Sequence, residues 1–263
     1  MDLGLNGKVA LVGGGSQGLG RGTAEVLSAE GMQLAIYALD DPALEQTRIE
    51  LGELNGREVL AIPADVSRAE DCRRAIEQTV ATFGGIDVLV INTGGSYGKA
   101  LPESDEEWNA AWEMWGMSAI RLAQQAVPHM RARGGGSIVT ITSCGVHQVC
   151  PETAMSEIPR LATTGFLKYL ALDLAAERIR INNVLPGWVM GERAENRMRE
   201  ESIRTGVRAA ELLAKECALI PMKRFATAHE IGNAIAFLAS DKAGYITGVN
   251  LRVDGGWCLD PVG

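Results

Sequence analysis

The stretch Val9-Ala10-Leu11-Val12-Gly13-Gly14-Gly15-Ser16-Gln17-Gly18-Leu19-Gly20 limits most narrowly what this chain can fold into. A short apolar run enters a glycine-rich turn and leaves it as an amphipathic segment. That is the strand, loop and helix opening of a dinucleotide-binding unit. Glycine is needed there because a pyrophosphate approaches backbone N–H groups at a helix N-terminus only where no Cβ intervenes. A tight strand-to-helix connection carries the same local signature, so the rest of the chain must decide between the two.

The pattern recurs downstream. Helical spacing over 21–30 stops at Gly31, and an apolar strand follows over 33–38. A helix over about 42–54, a strand over 59–62, a helix over 68–83 and a strongly apolar strand over 86–91 come next. Two long helices are expected between about 105 and 133, then a strand over 137–142 and a helix ending near Glu177. A strand over 179–185 runs into Pro186-Gly187. A charged, lid-like helical excursion covers about 191–217, and a helix over 228–239 and a strand over 249–253 close the chain. Apolar strands alternating with helices predict an α/β fold, a single-domain, Rossmann-type doubly wound parallel sheet of about seven strands with helices on both faces.

One domain spanning 1–263 suits the length, and no linker or repeat interrupts it. A net charge of −8 and a pI near 5.1 argue against nucleic acid or an anionic membrane surface as the partner. No apolar run reaches spanning length, and the first strand begins almost at the first residue, so a soluble, cytoplasmic protein without a leader is expected. The five cysteines fall in no metal-like or paired spacing and read as reduced thiols, with no metal site.

The motifs Gly14-x-x-x-Gly18-x-Gly20, Asp65-Val66, Asn92-Thr93-Gly94-Gly95, Ser143, Pro186-Gly187, Tyr245-Ile246-Thr247-Gly248 and Val253-Asp254-Gly255-Gly256 stand in a familiar order. In order and spacing the chain resembles the short-chain dehydrogenase/reductase family over essentially its whole length, most closely the members similar to 3-oxoacyl-carrier-protein reductases. The resemblance implies NAD or NADP as cofactor, held by Gly14, Gly18, Gly20, Asp65, Asn92 and Gly94. It also implies a tyrosine acid/base, a lysine four residues later, a serine thirteen residues before the tyrosine, and an asparagine on an earlier helix.

Only the serine is retained, as Ser143. The tyrosine position holds Ser156, the lysine position Arg160, and the asparagine position Trp115. No register shift restores the pair, since four residues after Tyr37, Tyr97, Tyr169 and Tyr245 stand Asp41, Leu101, Asp173 and Val249. A serine hydroxyl is a far weaker acid than a phenol, and arginine's planar fork does not reproduce a lysine ammonium. Pro159 is expected in the first turn of its helix, which makes Ser156 an N-cap. Trp108, Trp112 and Trp115 at helical spacing read as packing residues.

The cofactor side looks altered too. Gly13 stands where the resemblance places a threonine, and Tyr37-Ala38-Leu39 ends the second strand without an acid or arginine for the adenosine ribose. Asp40 and Asp41 come slightly late and read as a cap before Pro42, and Met190-Gly191 replaces a nicotinamide-facing threonine. Weak or lost cofactor binding is expected. His147 and Tyr97, on loops at the carboxyl ends of strands, are candidate replacement acids. His129 reads as a surface residue near a helix end. Arg193, Arg197, Arg199, Arg204 and Arg208 suit an anionic substrate such as a coenzyme A thioester, but the interspersed glutamates favour a solvated helix.

The expected function is therefore a non-catalytic subunit, in a homo- or heterotetramer with an active short-chain dehydrogenase paralogue acting on a hydroxyacyl or ketoacyl substrate. The resemblance includes inactive subunits of this kind in the benzylsuccinate pathway. The alternative expectation is an active NAD(P)-dependent oxidoreductase with remodelled catalysis, using Ser143 with His147 or Tyr97.

Overall fold

The computed structural model describes residues 2–39, 42–94, 104–150 and 153–259. Among them β1 (Val9–Gly13), β2 (Gln33–Ala38), β3 (Val59–Pro63), β4 (Val88–Ile91), β5 (Gly136–Ile141), β6 (Ile179–Pro186) and β7 (Asn250–Val253) form one parallel sheet, in the order β3-β2-β1-β4-β5-β6-β7. The strands are nearly continuous in apolar residues because helices cover both faces. One face packs α3 (Ala69–Phe83), α5 (Ser118–Ala132) and α6 (Ala154–Leu174) around Leu11, Leu89, Ile138 and Ile181. The other packs α1 (Gly18–Ala29), α2 (Pro42–Asn55) and α9 (Ala228–Ala239) around Val12, Val90, Val139 and Val184. Successive strand residues point to opposite faces, which is why Leu11 and Val12 belong to different cores.

The chain enters the sheet at β1, builds outward to β3, then crosses back to start β4 on the other side of β1. At that reversal the β1 and β4 loops leave in opposite directions and open a crevice at the carboxyl ends of the strands. The glycine loop after β1, Asp65 after β3, Asn92 after β4, Ser143 after β5 and Pro186-Gly187 at the end of β6 all lie on that side, whereas residues 245–248 precede β7 and pack against the start of β6.

Two local expectations need correction. The segment 105–132 is not two separate long helices. A short α4 (Asp105–Ala111) runs through a π-helical turn, Trp112–Met117, into α5. The second concerns Ser156. Helix α6 starts at Ala154, with Thr153 as its N-cap residue, so Ser156 lies inside the first turn and donates its Oγ–H to the Thr153 carbonyl at 3.0 Å. Pro159 therefore sits in the second turn rather than the first. Helices α7 (Glu192–Thr205) and α8 (Ala209–Leu219) make the expected excursion.

Candidate active site

The glycine loop is formed as a dinucleotide cradle. Gly14 and Gly18 hold left-handed backbone, φ +63° and +58°. A Cβ on Gly20 would fall 2.2 Å from the Gly14 carbonyl oxygen, so only glycine lets α1 start this close to the loop. Around Gly18 nothing lies within 4 Å of a would-be Cβ. The N-terminus of α1 carries no side-chain cap and no acidic residue in its first turn, leaving its N–H groups and positive dipole end facing that open space. Asn92 braces the loop from the end of β4, its Nδ2 donating to the Gly13 carbonyl at 3.0 Å.

Gly13 has a packing reason of its own. It pairs in register with Tyr37 across β1 and β2, and a Cβ there would lie 2.3 Å from the Tyr37 hydroxyl and 2.6 Å from the Asn92 carbonyl oxygen. The fully buried phenol fills the volume a side chain at position 13 would need, and burial pushes its pKa up beyond any working range. Glycine at position 13, where a threonine was expected, is thus required by the packing of Tyr37 against β1. Gly13→Ala is expected to cost about 1–3 kcal/mol by overpacking. Tyr37→Phe, which removes a hydroxyl that makes no hydrogen bond among the described residues, should stay within about 1 kcal/mol of wild type in urea unfolding.

Asp65, half-buried after β3, turns one carboxylate oxygen onto Ser67, accepting from its backbone N at 3.0 Å and its hydroxyl at 2.7 Å. Gly94 is exposed, with nothing within 4 Å of a would-be Cβ. Asp40, Asp41 and Tyr97 lie outside the described residues.

At the reacting end, β5 delivers Ser143, whose Oγ accepts from the Gly145 backbone N at 3.0 Å as the following turn begins. Trp115, only 8% exposed, sits in the π-helical turn. Such a turn releases a backbone carbonyl from the helical ladder, and Thr163 of α6 takes it up, donating Oγ1 to the Trp115 carbonyl at 3.0 Å. The Arg160 guanidinium lies 5.8 Å from the centre of the Trp115 ring and donates to the Thr93 carbonyl at 3.3 Å. Arg160 and Trp115 are thus one unit that joins α6, the π-helical turn and the end of β4. The cavity they line with Thr93, Ser118, Thr140 and Thr163 holds only about 10 Å³.

Sequence reasoning missed Glu157. Its carboxyl group packs so closely on Gly145 that a Cβ there would lie 2.4 Å from Glu157 Cδ. Its Oε2 is buried without a hydrogen-bond partner among the described residues. Burial raises its pKa above the usual glutamate value, against the opposing pull of the Arg160 charge and of the neighbouring Ser143 hydroxyl. It stands one position beyond Ser156 and belongs to none of the motifs that drew attention in the sequence.

His147 does not join this group. Its side chain is exposed and makes no hydrogen bond or ion pair among the described residues. His129 lies in the last turn of α5. On the excursion Arg197 pairs with Glu216 and covers the Trp188 ring at 4.6 Å, while Arg204 pairs with Glu201 and Arg208 with Glu211. The five cysteines are free thiols, and burial pushes Cys72 up to about 11. Among the described residues no cluster of acids, histidines and cysteines is arranged to hold a metal, and no helix is long and apolar enough to cross a membrane.

A dinucleotide cradle at the topological switch point, with a positioned serine at the end of β5, defines an oxidoreductase site of the doubly wound α/β class. The chain belongs to the short-chain dehydrogenase/reductase family. The family model described as enoyl-(acyl carrier protein) reductase matches residues 14–258. Glucose 1-dehydrogenase 2 of Bacillus subtilis is 31% identical over 264 residues, covering 98% of this chain and 97% of that protein. A 3-oxoacyl-[acyl-carrier-protein] reductase of Staphylococcus epidermidis is 31% identical over 250 residues, with 95% and 98% covered. The crystal structure of L-sorbose reductase from Gluconobacter frateurii, complexed with NADPH and L-sorbose, superposes with a TM-score of 0.95 at 34% identity, covering 99% of this chain and all of that one. These relatives are oxidoreductases along their whole length, and they back the alternative expectation of an oxidoreductase over that of a non-catalytic subunit.

Proposed function

We propose that this chain is an NAD(P)-linked oxidoreductase interconverting a small polyhydroxylated carbonyl compound and its alcohol. The observation that carries the reading is the cradle: Gly14 and Gly18 in left-handed backbone, Gly20 seated against the loop carbonyls, and an uncapped α1 N-terminus. These groups fit a pyrophosphate, and Asn92 and Gly94 border the path from it toward Ser143. The dinucleotide, when bound, supplies or accepts the hydride. Ser143 orients the reacting oxygen at the end of β5, and Arg160, held by Trp115 and Thr93, fixes a positive charge behind it.

A neutral, sugar-like substrate is favoured over a coenzyme A thioester because Arg197, Arg204 and Arg208 are engaged by glutamates and do not converge on an anion site. The kinship with L-sorbose reductase and glucose 1-dehydrogenase supports the same class. Calorimetric titration with NAD, NADH, NADP and NADPH, followed by turnover on ketoses, aldoses and acetoacetyl-coenzyme A, tests the reading. Saturable binding of one cofactor pair and turnover of a sugar substrate are expected. Absence of binding at millimolar cofactor would overturn it.

Assembly with further copies of this chain, as a homotetramer, is part of the same proposal. Ile158, Leu161, Tyr169 and Leu172 are exposed along one face of α6, at the three- and four-residue steps of a packing stripe, with Gly165 between them. Native mass spectrometry reads the stoichiometry. A monomer would count against assembly, and a complex formed only with a paralogue would point to the heteromeric form.

A further inference from the structure

We infer that Glu157 is the proton store of this site, acting through the Ser143 hydroxyl in the role the missing tyrosine would fill. The inference rests on the oxidoreductase reading above. Ser143 touches the substrate oxygen, and Glu157 acts behind it as a positioning and proton-holding residue.

Geometry carries the argument. The β5 strand ends at Ile141, and the turn that follows folds Ser143 and Gly145 against the first turn of α6. Gly145 serves both partners. Its N–H donates to Ser143 Oγ, fixing the hydroxyl, and its missing side chain leaves the space the Glu157 carboxyl occupies. With one lone pair of Oγ engaged by that N–H, the Ser143 proton is free to turn to the Glu157 carboxylate, and the remaining lone pair to a substrate hydroxyl. Among the described residues Oε2 is buried with no donor facing it, an oxygen on which a proton is more easily kept than a charge. Arg160, three residues on along α6, keeps the ionised form within reach, so the carboxyl can both release and recover its proton.

In the reducing direction the carbonyl carbon gains a hydride from a reduced nicotinamide dinucleotide. The oxygen takes the Ser143 Oγ proton, and the Glu157 carboxylic acid returns one to Oγ, ending as carboxylate. In oxidation the alcohol proton passes to Ser143 Oγ as the Oγ proton moves to Glu157, and the hydride leaves to the oxidised dinucleotide. Neither His147, exposed and unengaged among the described residues, nor Ser156, whose hydroxyl is committed to Thr153, competes for this role.

Among the described residues, the groups facing Glu157 are Arg160 from α6 itself, and Ser143, Cys144 and Cys150 from the turn after β5. Burial raises both thiols, so neither ionises before the carboxyl does. A carboxyl whose pKa is raised on folding binds its proton more tightly in the folded state. Its contribution to stability therefore falls as pH rises from the ordinary glutamate value, about 4.3, through the higher folded value, and is flat beyond.

The test compares wild type, Glu157→Gln and Ser143→Ala, each assayed for cofactor binding, turnover in both directions, and melting temperature against pH. Glu157→Gln should bind the dinucleotide as wild type does, lose about 10²- to 10⁴-fold in turnover, and lack the fall in stability with rising pH. Ser143→Ala removes the hydroxyl that would serve the carboxylate, so it should lose turnover and move that fall to higher pH. This second variant reports on Glu157 even if Glu157→Gln does not fold. Near wild-type turnover in Glu157→Gln, or a pH window unmoved in Ser143→Ala, overturns the relay. A wild-type enzyme that shows the pH window but binds no dinucleotide overturns the oxidoreductase reading, and the relay with it.

Discussion

Replacing Arg180 with methionine is expected to destabilise the protein by about 3 kcal/mol, because it strips several charge-assisted hydrogen bonds that a half-buried cation makes to the carbonyls at the end of α9. Arg180 lies near the start of β6, between Ile179 and Ile181, and its guanidinium turns toward the end of α9. It donates to the carbonyls of Leu238 at 2.6 Å, Ala239 at 3.2 Å and Ser240 at 2.9 Å, and reaches Ile246 at 3.5 Å. The last carbonyls of a helix have no intrahelical donor and carry its negative dipole end, so one planar fork satisfies several acceptors and supplies the favoured charge. Burial pulls its pKa below the usual arginine value, but the group stays charged at every working pH, so the loss should not vary between pH 6 and 9. Methionine preserves the apolar stem and isolates the polar contribution. Urea unfolding should show a lowered midpoint with an unchanged slope. A difference under about 1 kcal/mol would mean that water satisfies these carbonyls as well as arginine does.

What could be read in the chain, and what could not, divides along physical lines. The seven strands were legible because a parallel sheet covered on both faces demands nearly unbroken apolar runs, and those runs stand out between helical periods. The four-residue step from position 156 to position 160 was legible because both lie on one helix, whose spacing is rigid. Glu157 was not, since its meaning depends on a turn folding Gly145 against α6, a contact that leaves no periodic trace. The start of α6 was misplaced because the first-turn rule for proline was applied to Pro159, whereas the helix begins five residues earlier. The packing of Tyr37 against Gly13 had a signal that was not used. Parallel pairing of β1 and β2 makes the two residues neighbours, so a glycine where a side chain was expected and a bulky phenol opposite it belong to one observation. The π-helical turn around Trp115 had no signal in the sequence, and without it neither the freed carbonyl nor its capture by Thr163 was foreseeable.

The glycine loop offers a second large effect, in which two neighbouring glycines should fail for different reasons. Gly20→Ala places a methyl 2.2 Å from the Gly14 carbonyl oxygen and 2.3 Å from that of Gly13, both backbone atoms with no rotamer to yield. Helix α1 would have to withdraw, yet it is held from behind, where a Cβ on Gly22 would meet the Ala228 Cβ of α9 at 2.5 Å. The overpacking should cost about 3 kcal/mol and disorder the cradle, so both stability and dinucleotide affinity fall. Gly18→Ala meets nothing within 4 Å but must hold φ near +58°, a strain of about 1–2 kcal/mol. Its methyl points into the space assigned to the pyrophosphate, so affinity should fall at least tenfold while the fold survives. Unfolding curves and cofactor titrations on the two variants separate the cases. If Gly18→Ala binds a dinucleotide as tightly as wild type, the phosphates do not lie over this loop, and the cofactor reading fails with the site geometry intact.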